Sequence, residues 1–462
     1  MIFSSTLFLF IFLPVTLLVY YLIPQRYVMA RNVELLIASL VFYAWGEPIN
    51  VFLMLISIMV NYIFGLLLDA TEKTSGRRTI VWFSVAFNLG MLFFFKYFNF
   101  FTGYRFDPIA LPIGISFFTF QIMSYTIDVY RKHVAAQSNV FKLGLYISLF
   151  PQLIAGPIVR YIDVAEELDH RTTSVSEAFA GVSRFSVGLA KKVVISNTVA
   201  LLADKIFEMD VANISSATAW LGAIAYTLQI YFDFSGYSDM AIGIGWMLGF
   251  HFPDNFNYPY ISTTVQDFWR RWHMTLSTWF KDYLYIPLGG NRKGKWRTYL
   301  NLLIVFACTG FWHGASFNFL AWGLYHGFFL VIERIGFKKI LDRLPRAVGR
   351  LYTLLIVIIG WVLFRADNLT LAWQYVCSMF RFTNWGWLKA VAQLEGYSLI
   401  ILVLAIVFSI PIVPWAKNKL QVLPNGEVVT SSLSGVLALG LLALSIFCLT
   451  GSDYNPFIYF RF

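Results

Sequence analysis

One histidine stands apart in this sequence. His313 lies in the run Gly310-Phe-Trp-His-Gly-Ala-Ser316, beside aromatic and small side chains, with no carboxylate within ten residues. Burial disfavours the charged form of an imidazole. A neutral imidazole in a dry pocket can take a proton from an attacking hydroxyl, which is general-base chemistry. The same surroundings also suit a core histidine hydrogen-bonded to a backbone carbonyl, and the residues alone leave both readings open. His273 sits upstream, in a stretch that alternates Asp267, Arg270, Arg271, Lys281 and Asp282 with Phe268, Trp269, Trp272, Trp279, Tyr283 and Tyr285. It is either a second reactive imidazole or a polar tip among tryptophans. His326 reads as a packing or hydrogen-bonding residue, and His133, His170 and His251 as solvated loop residues.

Several chemistries are disfavoured by spacing. No HxxxH or HExxH pair exists, so a zinc site is weakly supported and no metal is expected. Serine-hydrolase elbows, phosphate-binding loops and dinucleotide fingerprints are also missing. Cys308, Cys377 and Cys448 lie in or beside apolar runs without metal or redox spacing, and read as small buried hydrophobes. Asp233 and Asp239, in YFDFSGYSDMA, could serve a proton relay or ion site. The plainer reading is that they hydrogen-bond across a bundle and pin two helices.

The elements that position these residues are membrane helices. Of 462 residues, 58% are hydrophobic, 19% aromatic and only 13% charged, where a soluble domain carries about 25% charged residues. Long apolar runs recur around Ile2–Ile23, Ile49–Leu68, Ile80–Lys96, Ala217–Phe234, Leu300–Trp312, Leu351–Phe364, Leu399–Val413 and Leu433–Leu449. Shorter or Gly- and Pro-broken runs occur at Leu35–Trp45, Leu111–Tyr130 and Leu143–Ile158. Such breaks are tolerated at membrane depth only inside protein or beside a wet cavity. The expectation is an all-α polytopic membrane protein of about ten or eleven transmembrane helices with re-entrant or interfacial pieces. The first run is too long for a cleaved signal peptide and has no basic residue before it.

The net charge of +10 does not point to nucleic acid, because the basic residues cluster in short loops between apolar runs. These loops hold Arg26 and Arg31; Lys73, Arg77 and Arg78; Arg334 to Arg350; and Lys417 with Lys419. Placing them in the cytoplasm, by the positive-inside rule, puts both termini outside. Residues 160–174 read as a polar loop. Val182–Phe207, with Lys191, Lys192 and Lys205, reads as an interfacial or tilted helix. Asp254–Arg297 suits an amphipathic helix pair in the interface or dipping into the membrane. Tyr299–Val331, flanked by basic loops, suits a hairpin whose turn at Trp312–Ser316 lies deep in the protein, with Gly310, Gly314, Gly323 and Gly327 permitting close approach.

Long stretches carry a family likeness. FWRRWHMTLSTWFKDYLYIPLGGNR and GFWHGASFNFLAWGLYHG resemble the signature of the bacterial membrane-bound O-acyltransferases. The likeness is nearest to the subgroup that O-acetylates alginate and peptidoglycan, and more distant to that of teichoic-acid D-alanylation. FFKYFNFF, LPIGISFFTFQIMSYTIDVYR, FPQLIAGPIVRY and YFDFSGYSDMAIG fit the same family and occur in its order, giving a motif core of about 94–330 within one membrane domain spanning 1–450. The resemblance implies a funnel-shaped ring of helices around a thin core, with His313 as the essential residue and His273 beside the reaction tunnel. Trp312, Asn318, Arg271, Asp282 and Tyr285 are its supporting or tunnel residues.

It further implies a multi-pass protein of the bacterial cell membrane that takes an acyl group, most simply acetyl, from acetyl-CoA or an acyl-carrier thioester and moves it outward. No cofactor is held tightly. An SGNH-type extracytoplasmic acetyltransferase is the expected partner, and a polysaccharide of the envelope is the acceptor. Residues 451–462 end in FIYFRF, which resembles a terminal motif of such systems in which a tyrosine carries the acyl group. Here that residue is Tyr459, and an aromatic interfacial anchor is the competing reading. D-alanyl transfer to teichoic acid is the alternative within the family. A transporter or flippase is the alternative outside it, and would call for pseudo-symmetric halves that the sequence lacks.

Overall fold

Lipid offers no hydrogen bonds, so a backbone crossing it must satisfy itself as helix. The computed structural model describes residues 1–103, 105, 109–154, 156–382, 385–451 and 454–458, and among these helix is the regular structure, with no strand. Six helices are long and apolar enough to cross a membrane: Val28–Gly46, Asn50–Ala70, Thr74–Phe101, Val175–Phe207, Arg346–Arg365 and Gly426–Thr450. The pair Gly396–Phe408 and Ile412–Gln421, bent by 63°, makes a seventh if it is one crossing. This is fewer than the ten or eleven apolar runs suggest. Phe8–Leu22 is short, and Ser216–Leu248, though 33 residues long, interrupts its apolar run with Gln229, Asp233, Ser235 and Asp239.

Three segments differ from the sequence expectation. Val28–Gly46 is an unbroken helix, because its polar start is satisfied internally: Arg31 Nε donates to the Ile23 carbonyl at 2.9 Å and Asn32 Nδ2 to that of Leu168 at 2.8 Å. Residues 160–174 are not all loop. Tyr161–Asp169 is helical, started by a capping box in which the Arg160 backbone N–H donates to the Asp163 carboxylate at 3.0 Å. Val175–Phe207 is a continuous helix long enough to cross rather than lie in the interface, and its one fully buried cation, Lys192, has a buried carboxylate beside it.

The chain divides into two compact units. In the first, Met1–Phe185 with Tyr237–Asp254, a polar cluster links three helices: Ser84 Oγ donates to Asn61 Oδ1 and Asn88 Nδ2 to the same oxygen, at 3.0 and 2.8 Å. Ser84 also reaches Thr126 at 3.0 Å. Arg184 bridges Asp239 and Asp254 at 3.0 and 2.5 Å.

The second unit, Ser186–Gly236 with Asn255–Phe462, contains the anticipated hairpin, Lys295–His313 and Phe317–Ile332. Its two helices touch backbone to backbone. A Cβ on Gly310 would collide with the Phe319 carbonyl, and one on Gly323 with the Phe306 carbonyl. Cys308 and Cys377 correct the sequence reading: both are exposed, since a helix in lipid turns apolar side chains outward as well as inward. Replacing Gly310 or Gly323 by leucine should overpack this contact at a cost of about 1–3 kcal/mol. The check is a lowered thermal midpoint of the detergent-solubilised protein, whereas leucine at Gly440, where a Cβ meets nothing, should leave it unchanged.

Candidate active site

The hairpin fixes His313 at its turn. The Lys295–His313 helix ends there, Gly314 is extended, and Ser316 caps the returning helix by accepting from the Phe319 N–H at 3.4 Å. The imidazole is 7% exposed and edge-on to Trp312, Trp322 and Phe364, with ring centroids 5.0, 5.2 and 5.3 Å away. It faces a chamber of about 10 Å³ walled by Ile230, Phe234, Trp272, Trp361, Phe364 and Ile458. That is room for one water at most.

His273 comes to the same place from a different segment. Two short helices, Val265–Trp269 and Met274–Phe280, bracket it, and its own backbone is left-handed at φ 44°. A left-handed non-glycine residue needs support from its surroundings, and Asn255 supplies it. Asn255 Oδ1 accepts from Thr275 Oγ1 at 2.9 Å, from the Thr275 N–H at 3.4 Å, and from His273 Nδ1 at 3.0 Å. Since that oxygen only accepts, Nδ1 carries the ring proton and Nε2 presents its lone pair. Nε2 is buried and has no hydrogen-bond partner among the described residues. Burial holds the His273 imidazole well below its usual range, and the neighbouring His313 pushes the same way. Trp312 lies against both rings, 6.1 Å from His273, and Phe234, a chamber wall, is 4.7 Å from His273.

Two larger cavities lie along the hairpin. One, of about 1200 Å³, lies at the turn end, where Ser316, Asn318, Phe364 and Arg365 line it. Phe364 therefore separates it from His313. The other, of about 220 Å³, runs along the hairpin from Thr309 to Arg334 past Trp269 and Tyr285, and carries Arg270 and Lys281.

Residues 454–458 enter the core of this unit. Tyr454 Oη donates to Asp204 at 2.6 Å, and Asp204 pairs with Arg365 at 2.8 Å. Deeper in, the Ile458 N–H donates to Asp233 Oδ2 at 2.9 Å. The other Asp233 oxygen is 2.6 Å from Lys192 Nζ, and both ions are almost completely buried. Lys192 rises from a π-helical turn, Lys191–Ser196, within the long Val175–Phe207 helix; such wide turns often mark functional sites.

A profile of the membrane-bound O-acyltransferase family matches residues 118–372. The probable alginate O-acetylase of Pseudomonas putida is 42% identical along the full length of both chains. The chain belongs to the membrane-bound O-acyltransferase family. This acyltransferase is also 37% identical to the peptidoglycan O-acetyltransferase of Helicobacter pylori, over 82% of its own length and 80% of that protein. Its likeness to the teichoic acid D-alanyltransferase of Bacillus subtilis is 29%, over 46% of its length and 56% of that protein. It is a multi-pass membrane enzyme that transfers acyl groups to oxygen.

Among the acyltransferase's residues singled out from sequence, His313, His273 and Trp312 converge. Asn318 ties the turn to the next helix by donating to the Ala366 carbonyl at 2.5 Å and lines the larger cavity. Tyr285 lines the smaller one. Arg271 and Asp282 are not among the walls of the His313 chamber; Arg271 pairs with Asp267 at 3.1 Å and donates to the Asn257 carbonyl. His326 is fully buried among Trp269, Trp322 and Tyr325, with no hydrogen bond at either ring nitrogen among the described residues, so it packs rather than bonds. Tyr459 lies outside the described residues. Among those residues no group of three metal-ligating side chains converges.

Sequence reasoning passed over Lys192, Asn255 and Ile458. The available signal for the first was a lysine and an aspartate of opposite sign in two apolar helices, which lipid forces to pair. Asn255 and Ile458 carry no such mark.

Proposed function

We propose that this acyltransferase takes an acetyl group from a cytoplasmic thioester and passes it outward for O-acetylation of an envelope or exported polysaccharide, through His313 and an acyl ester on Tyr459. The observation that carries the reading is that Ile458, bonded directly to Tyr459, walls the chamber of His313. The acetyl group rests on the names of the alginate and peptidoglycan relatives, which match far more of the chain than the D-alanyl transferase does.

Each step has a residue to perform it. Arg270, Lys281 and Arg334 border the smaller cavity and attract an anionic coenzyme or carrier thioester. An unperturbed tyrosine hydroxyl has a pKa of about 10, so its attack needs a base. His313 takes the phenol proton as the new C–O bond forms. The C–S bond then breaks and the thiolate leaves with that proton. A phenyl ester gives up its acyl group more readily than an alkyl ester, because phenoxide is the better leaving group. It can therefore acylate the serine of an SGNH-type partner outside the bacterial cell membrane.

The basic loops Arg292–Arg297 and Arg334–Arg350 both lie at the open end of the hairpin. With these loops cytoplasmic, the larger cavity faces outward and the smaller one inward.

Three outcomes follow. His313→Ala should lower polymer acetylation by about 10²–10⁴-fold, the usual contribution of a general base, at normal membrane levels; near wild-type ester content would remove His313 from the mechanism. Tyr459→Phe keeps the ring and deletes the nucleophile, so ester content should fall to background, whereas an anchoring role predicts no change. For orientation, a cysteine at Arg343 in a background cleared of Cys308, Cys377 and Cys448 should resist impermeant maleimide in intact cells and react after lysis. Labelling of intact cells would reverse the topology.

A further inference from the structure

A lysine and an aspartate at membrane depth are expensive, and this pair uses its remaining hydrogen bonds in an unusual way. Lys192 Nζ lies 2.6 Å from Asp233 Oδ1 as an ion pair, and donates to Asn197 Oδ1 at 2.9 Å and to the Pro456 carbonyl. Asp233 has two oxygens, one on Lys192 and the other on the Ile458 N–H at 2.9 Å. Asn197 adds a bond from Nδ2 to the Tyr454 carbonyl at 3.3 Å. The ion pair therefore grips residues 456 and 458 by main-chain atoms, a carbonyl on the cation and an N–H on the anion.

We propose that Lys192 and Asp233 form a main-chain clamp that sets the depth of residues 454–458, and with them Ile458 at the wall of the His313 chamber, for a transfer carried out by the following residue, Tyr459. They are positioning residues for the transfer, and the inference rests on the carrier reading of Tyr459. Backbone contacts fix register without regard to side chains. Proline strengthens the choice: Pro456 offers a carbonyl but no N–H, so it can serve the lysine and cannot replace Ile458 at the aspartate. A slip of one residue along an extended segment moves everything beyond it by about 3.3 Å. That exceeds what transfer geometry tolerates, since a misplacement of about 1 Å can cost roughly 10²-fold in rate.

The competing account is an ion pair that only pins two helices. Charge removal from one partner alone does not separate the two, because it strands the other charge. Replacement of both by apolar residues does, since a buried pair exchanged for apolar residues of similar volume commonly keeps or improves stability. The test uses full-length protein in membranes, without Cys308, Cys377 and Cys448, and with Ile458→Cys as a reporter shown to retain acetylation. With Lys192 and Asp233 intact, alkylation of the buried thiol by maleimide should be slow. In K192M/D233L it should rise at least tenfold and polymer acetylation should fall at least tenfold, at unchanged thermal midpoint. Unchanged alkylation in K192M/D233L overturns the clamp, and increased alkylation with wild-type acetylation overturns its positioning role. If Tyr459→Phe acetylates normally while alkylation still rises in K192M/D233L, the carrier reading fails and the clamp on the main chain stands.

Discussion

Hydrocarbon cannot hydrogen-bond, and that constraint organises the chain more than any single contact. Each polar group at membrane depth must be satisfied by the protein or left at a cost of several kcal/mol. Asn61, Ser84 and Asn88 meet the demand by bonding to one another. Arg31 and Asn32 meet it with loop and helix carbonyls. Lys192 and Asp233 meet it with each other and with the backbone of residues 454–458. His273 Nε2 stays unsatisfied among the described residues.

Packing then does what electrostatics cannot. Glycine contacts at Gly310 and Gly323 bring the hairpin helices together along their backbones, so the turn is held rigidly and His313 with it. Aromatic rings surround the imidazole on several sides. The second histidine gains its tautomer from Asn255, a single acceptor oxygen shared among three donors.

The hairpin was legible in the sequence because its cause is local: basic loops on both sides and glycines four apart. The convergence of His273 with His313 was legible only through the family likeness, since they lie forty residues apart on different helical segments. Fewer helices than apolar runs are long and apolar enough to cross, because an apolar run does not say whether lipid or protein will face it. Ser216–Leu248 shows this, with aspartates embedded among alanines and phenylalanines. Cys308 and Cys377 were misjudged for the same reason. Lys191, Lys192 and Lys205 left an interfacial and a tilted helix both open, because a sequence cannot show which lysine will find an aspartate far along the chain. The ion pair that resolves the matter joins residues 192 and 233.

The ribosome makes that clamp and the segment it grips at different times: Asp233 follows Lys192 by 41 residues, but the segment they grip is added more than two hundred residues after that. At about 5–20 residues per second, the interval is roughly 10–45 s. Throughout it, the backbone carbonyl and N–H that meet Lys192 and Asp233 in the finished chain are still unmade.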